Sequence, residues 1–160
     1  MTQRLSAIPA MVAAVALIAC APSAPPSEDT IVRVETTKSF EDVILELDFT
    51  ITERNFRITG RNTIGKGLRE RGYENFPDVE VIHFCNLEYA REVLIIDPGY
   101  VAQMPCRITV HVASGLTVIS LILLPENHPD DRVNEFARRM NAILHDIVNF
   151  VMEKESSVNS

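Results

Sequence analysis

Apolar residues recur with two different periods along this chain, and the switches between them divide it into elements. Ile31–Glu35, IVRVE, alternates apolar and polar side chains and predicts a first strand. From Ser39 the period changes. Phe40, Val43, Ile44, Leu47 and Ile51 fall on one helical stripe, with Ser39 placed to cap it and Asp42 three residues on. Phe56–Thr59 alternates again, as a short strand. The segment TIGKGLRERG predicts a weak short helix or a turn, with Gly72 as the residue just past its end. Val79–Phe84 predicts a strand, and Asn86 caps a helix over LEYAREVLIID that Asp97-Pro98-Gly99 stops. CRITVHV and LTVISLILL flank ASG, the clearest hairpin in the chain, with Gly115 supplying positive φ. Asp130 or Asp131 opens the longest helix, whose stripe is Val133, Phe136, Ala137, Met140, Leu144, Ile147, Val148 and Val151.

The order is therefore β-α-β-(α)-β-α-β-β-α, without internal repeats. It predicts an α+β fold: a two-layer sandwich in which one mixed, mostly antiparallel sheet is covered by two or three helices. The domain is expected over residues 31–153, with 154–160 (ending in ESSVNS) as a disordered tail.

The first thirty residues obey neither period. MTQRLSAIPAMVAAVALIAC has one arginine, Arg4, then an apolar run from Ala10 to Ala19, then small residues before Cys20. That is the arrangement of a secretory signal, and the run is short for a membrane span. LIAC resembles the bacterial lipobox, in which a cysteine is acylated and becomes the mature N-terminus. The resemblance implies a signal peptide over 1–19, lipidation (palmitate among the chains) at Cys20 and anchoring in the cell envelope facing the periplasm. Ala21 rather than Asp after Cys20 implies the outer membrane. APSAPPSEDT, with three prolines, has no face to bury and predicts a tether through residue 30.

Charge narrows the partners. The formal net charge is -7. Removing Arg4 leaves 15 − 1 = 14 bases against 22 acids, a net of -8. A nucleic-acid partner would need a basic surplus, so none is expected. A charged fraction of 23% and a hydrophobic fraction of 46% suit an ordinary globular domain.

Four local stretches then coincide. SFEDVILELDFTITERNFRI, HFCNLEYAREVL, DPGYVAQMPCRITVHV and the SG turn before a valine-rich strand together resemble the family catalogued as domain of unknown function 302. The pieces that carry it best are Phe84-Cys85-Asn86, Ala90, Asp97-Pro98 and Met104-Pro105-Cys106-Arg107, and it covers Ile31 to Met152. Family patterns often have proline where Leu87 stands and tyrosine where His111 stands. The resemblance implies a small α+β domain, often a homodimer, and no established molecular function.

Three groups of residues could carry chemistry. The first is Gly60–Gly67, GRNTIGKG, which nearly matches a phosphate-cradling loop. Gly67 replaces the hydroxyl residue that would hold magnesium, so a turn between strand and short helix is the better reading. The second is the basic run of Arg54, Arg57, Arg61, Lys66, Arg69 and Arg71 against the single acid Glu70. Arg57, Arg61, Lys66 and Arg69 are candidates for an anion or partner surface, while pairing with the chain's own acids is the commoner outcome.

The third group is His83, Cys85, Asn86, Cys106 and Arg107. His83 and Cys85 are two apart on a strand and so share a face. Three states of the cysteines stay open: a disulfide, two buried thiols, or ligation of a soft metal or a haem iron with His83. No zinc spacing and no C-x-x-C motif is present. No cofactor is expected. His111, His128 and His145 have no recognisable setting, and NHPDD reads better as a helix N-terminus than as a cation site. No motif carries an enzymatic activity. The sequence thus predicts an envelope-anchored lipoprotein with a ligand- or partner-binding domain, or else a thiol-redox or metal/haem-binding protein using Cys85 and Cys106.

Overall fold

The computed structural model describes residues 30–158, with side chains through residue 153. The expectations for the signal peptide, Cys20 and the tether lie outside the described residues. Strands β1 (Ile31–Thr36), β2 (Arg57–Asn62), β3 (Val79–Cys85), β4 (Cys106–Ala113) and β5 (Leu116–Ile122) form one sheet. Its order is β1-β5-β4-β3-β2. All four pairings are antiparallel, so the sheet is antiparallel throughout rather than mixed.

Helices α1 (Phe40–Glu53), α3 (Leu87–Ile96) and α4 (Asp131–Val158) pack on the sheet, and α2 (Ile64–Arg69) is a short helix between β2 and β3. Alternation along the strands decides which side is covered. Ile82, Phe84, Ile108, Val110, Ile119 and Leu121 point to the helices and are fully buried. Val43, Leu47 and Ile51 of α1 and the whole predicted stripe of α4 complete a single core with them. A side chain such as Phe84, 0% exposed, contributes about 2–3 kcal/mol of hydrophobic stabilisation there.

The ends of the elements follow local chemistry. Ser39 Oγ accepts a 3.1 Å bond from the Asp42 backbone N–H and caps α1. Asn86 Oδ1 accepts from the Glu88 and Tyr89 N–H groups at 2.9 and 3.2 Å and caps α3. Ser114 and Gly115 both have positive φ, 52° and 80°, which gives the β4–β5 hairpin the twist of a type I′ turn.

Three features depart from the sequence reading. β2 runs on to Asn62 through a bulge between Ile58 and Gly60. A 3-10 helix over Pro98–Gln103 follows α3, opened by Asp97, whose carboxylate accepts from the Gly99 N–H at 2.8 Å. Helix α4 continues to Val158, past the boundary expected at 153. No glycine or proline interrupts EKESSV, so nothing local stops it.

Two asparagines of α4 hold the loop that leads into it. Asn141 accepts from the Leu124 N–H at 2.8 Å and donates to its carbonyl at 3.0 Å. Asn134 does the same for His128, at 2.7 and 2.8 Å. Both side chains are buried, so each clamp satisfies its own polar atoms as well as the loop's.

Candidate functional site

Strand register places the five residues around the cysteines. Cys106 lies opposite Phe84, His83 opposite Arg107, and Cys85 opposite Arg57. His83 and Cys85 alternate with the buried Ile82 and Phe84, so they do share a face, as expected. The pleat therefore turns His83, Cys85 and Arg107 away from the core side on which Cys106 stands. His83 Nε2 instead meets Asn62 Nδ2 at 3.3 Å. Asn86 is occupied structurally: besides capping α3, its Nδ2 donates to the Asn55 carbonyl at 2.8 Å.

Both cysteines nonetheless border one space at the end of β3. Beyond the end of β3, a cavity of about 30 Å³ is enclosed by both cysteines, the 3-10 helix and α3 and α4. Its other walls include Phe56, Tyr100, Met104, Phe136 and Met140. Aromatic packing fixes this wall: Phe56 meets Phe84 edge to face at 5.5 Å, and Tyr100 meets Phe136 in the same way at 6.0 Å. Tyr100 is 5% exposed and its hydroxyl has no hydrogen-bond partner among the described residues. An unpaired buried hydroxyl costs about 1–3 kcal/mol, so it marks a position where a further group would be favoured. Tyr100 lies in the quoted stretch DPGYVAQMP, but its isolation arises only from tertiary packing and left no signal in the sequence.

Both cysteines are free thiols. Burial pushes the Cys106 thiol up to about 11, with Cys85 nearby adding to the rise. Burial also raises Cys85. Burial, with the charge of Cys106, lifts the Tyr100 phenol to about 12. All three groups are thus neutral and protonated at pH 7. Among the described residues, no histidine or carboxylate lines the cavity to deprotonate a thiol, which is the wrong setting for a nucleophilic cysteine. Among the described residues, no group of three or more His, Cys, Asp or Glu could hold a metal ion.

The basic run resolves differently. Arg61 bridges Asp48 of α1 and Glu80 of β3. Burial works against its charge, but the hydrogen bonds to Asp48 and Glu80 outweigh it and raise its pKa. Arg69 pairs with Asp78 at 2.7 Å and donates to the Phe76 carbonyl at 2.8 Å. Arg71 donates to the Gly67 carbonyl at 2.7 Å, and Arg54 to that of Asp146 at 3.1 Å. Lys66, largely exposed, stands 4.0 Å from Glu70. Arg54, Arg57 and Arg71 make no ion pair among the described residues, and of the three only Arg57 also makes no side-chain hydrogen bond there. The near phosphate loop is likewise turned inward: a Cβ at Gly65 would meet the Pro77 carbonyl oxygen at 2.4 Å, so that glycine serves close backbone packing.

NHPDD also closes on itself. His128 Nε2 lies 3.2 Å from Asp97, and Asp130 accepts from the Arg132 N–H at 3.0 Å in the first turn of α4.

The sequence profile of the family described as domain of unknown function DUF302 matches residues 32–147. The chain belongs to the DUF302 family. A crystal structure of an uncharacterized conserved DUF302 protein from Bacillus stearothermophilus superposes on this DUF302 domain with a TM-score of 0.69. The two are 18% identical, over 76% of this chain and 98% of the other. At that identity the likeness shows a shared fold. No curated protein matches. The DUF302 core thus extends through β1 to most of α4 and contains the whole cavity.

Proposed function

We propose that the protein is an envelope lipoprotein that binds a small ligand at the cavity between Cys85, Cys106 and Tyr100. In this reading residues 1–19 are removed, Cys20 is acylated, and residues 21–30 tether the DUF302 domain to the outer membrane. The supporting observation is where the chain emerges. The Leu123 N–H donates to the Thr30 carbonyl at 2.8 Å, so β1 starts at the end of the sheet where β4 begins and β3 stops. Leu124, next to that bond, lines the cavity. A ten-residue tether spans at most about 35 Å, which holds the cavity end, not the hairpin end, toward the bilayer. Exposed Ile31 and Leu87 lie at this same end. A homodimer belongs to the same proposal and rests on the family resemblance.

Metabolic labelling with palmitate tests the anchor. The wild-type chain should carry label in the membrane fraction and Cys20→Ser should carry none. Equal labelling of the two, or none in either, would remove the anchor from the account.

A further inference from the structure

We infer that residues 98–104 form a flap over a site for a small uncharged molecule with an apolar body and one hydrogen-bond acceptor, held by the Tyr100 hydroxyl. The inference rests on the binding reading above and names its ligand class and the way in.

The lining decides the chemistry of the ligand. Among the described residues, no charged side chain borders the cavity. An ion buried against Phe56, Met104, Phe136 and Met140 would lose its hydration with nothing to replace it, so the ligand is uncharged. Asn86 also borders the cavity, but its carbonyl oxygen and amide are both spent on the α3 cap and the Asn55 carbonyl. The Tyr100 hydroxyl is left, buried and without a partner. A phenol is a good donor, while its oxygen shares electrons with the ring and accepts poorly. The missing partner is therefore an acceptor, such as a carbonyl or ether oxygen, and supplying it removes the penalty of the unpaired hydroxyl.

The segment that carries Tyr100 is lightly held. Pro98, Gly99, Val101, Ala102 and Gln103 are all exposed, and only Tyr100 and the half-buried Met104 reach inward. Its bonds are local: the Tyr100 N–H donates to the Asp97 carbonyl and the Met104 N–H to that of Val101, both at 3.1 Å. Among the described residues, no hydrogen bond joins residues 98–103 to the sheet or to α4. A segment with one inserted ring and no bonds to the core opens locally at small cost. There is also space for it to open into. The cavity as it stands holds about 30 Å³, the size of one water. On the other side of Tyr100 lies a hollow of about 210 Å³, bordered by Tyr100 and Gln103 with Asp97 and His128. A further void of about 60 Å³ shares Gln103, Met104, Cys106 and Leu124 with the cavity. When Tyr100 tilts toward the larger hollow, the space its ring leaves joins the cavity to the smaller void. The hydroxyl, at the far end of the ring, still faces that space. The opened site suits a molecule of one ring, at the small end of organic ligands.

The test titrates the full chain carrying Cys20→Ala, in mild detergent, with two probes of one shape: acetophenone, which has a carbonyl acceptor, and α-methylstyrene, which has a methylene in its place. Methionine methyl NMR reads binding at Met104 and Met140, which both line the cavity. Both probes should give saturable shifts there. Tyr100→Phe keeps the ring and removes only the hydroxyl. It should lower the affinity for acetophenone relative to α-methylstyrene by about tenfold. Partition of the probes into detergent is the same for both proteins and cancels in that ratio. With acetophenone at about ten times its dissociation constant, hydrogen exchange at the Tyr100 and Met104 amides should slow by about tenfold. An unchanged ratio in Tyr100→Phe, as expected if the hydroxyl is served by a water that the ligand leaves in place, overturns the inference and keeps the cavity as a binding site. Unaltered exchange at those two amides, with both probes bound, overturns the flap in the same way. No shift from either probe overturns the inference and the cavity reading together.

Discussion

The Arg61 cluster and the cysteine cavity lie on opposite sides of β3's length and make opposite use of polar groups. Arg61 satisfies two acids from two different elements, and nearly every other base of its run finds an acid or a carbonyl. At the cavity, two free cysteines and a phenol line an almost wholly apolar space, with no partner for the Tyr100 hydroxyl among the described residues. Both regions drew attention in the sequence by their residue types. Their satisfaction tells them apart: the cluster that completes itself is part of the scaffold, and the one left incomplete is the place for a ligand.

The largest expected effect comes from the residue between the two regions. Phe84 pairs with Ile58 on one side and Cys106 on the other, and is fully buried. Phe84→Ala should cost about 4 kcal/mol in urea unfolding and loosen both regions together. A loss under about 1 kcal/mol would mean that the sheet end repacks freely and that the cavity has no fixed walls.

Arg61→Ala breaks the comparison from the scaffold side. Glu80 is 8% exposed and would be left buried without its partner. Fully buried pairs cost about 3–5 kcal/mol to break in this way, and the partial exposure of Arg61 and Asp48 reduces the expectation to about 2 kcal/mol. A neutral Arg61→Ala would place the cluster among ordinary surface charges.

Tyr100→Phe should act with the opposite sign. Removing an unpaired buried hydroxyl should raise stability by about 1 kcal/mol. A loss of stability would show that the hydroxyl already has a partner, and would take away the main mark of the site.

The smallest effect is at the start of α4. Asp130 is lowered from 3.8 to about 2 by its hydrogen bonds with Arg132. A depressed carboxylate pKa gives stability that is complete above the unfolded value and fades as pH falls through the folded one. Asp130→Asn should therefore differ from the parent at pH 6 and converge with it between about pH 4 and pH 2. Denaturation midpoints measured across that range check the sign.

Most of the fold was legible because it depends on local period and caps. The α4 stripe, the Ser39 and Asn86 caps and the Gly115 turn were each written within a few adjacent residues. The 3-10 helix at Pro98 and the reach of β2 to Asn62 were not, since one depends on packing over the sheet end and the other on a bulge opposite His83. The site was legible by half. Cys85 and Cys106 stood out by type, but register sends His83, Cys85 and Arg107 to the face opposite Cys106, and Asn86 is committed to capping. Tyr100, Met104 and Met140 join only through contacts between β3, the 3-10 helix and α4, which no spacing within one element encodes.

The most direct measurement uses the methionines as reporters. The chain has five, and Met104 and Met140 line the cavity while Met152 sits elsewhere on α4. Methyl NMR spectra of the Cys20→Ala chain, labelled at methionine and titrated with Ag(I) as a small probe of the cavity lined by Met104, Cys106 and Met140, would follow all of them at once. The account predicts that the Met104 and Met140 methyls shift and saturate at one equivalent while Met152 stays in place. Shifts at Met152 alone, or no saturable shift at Met104 and Met140, would contradict it.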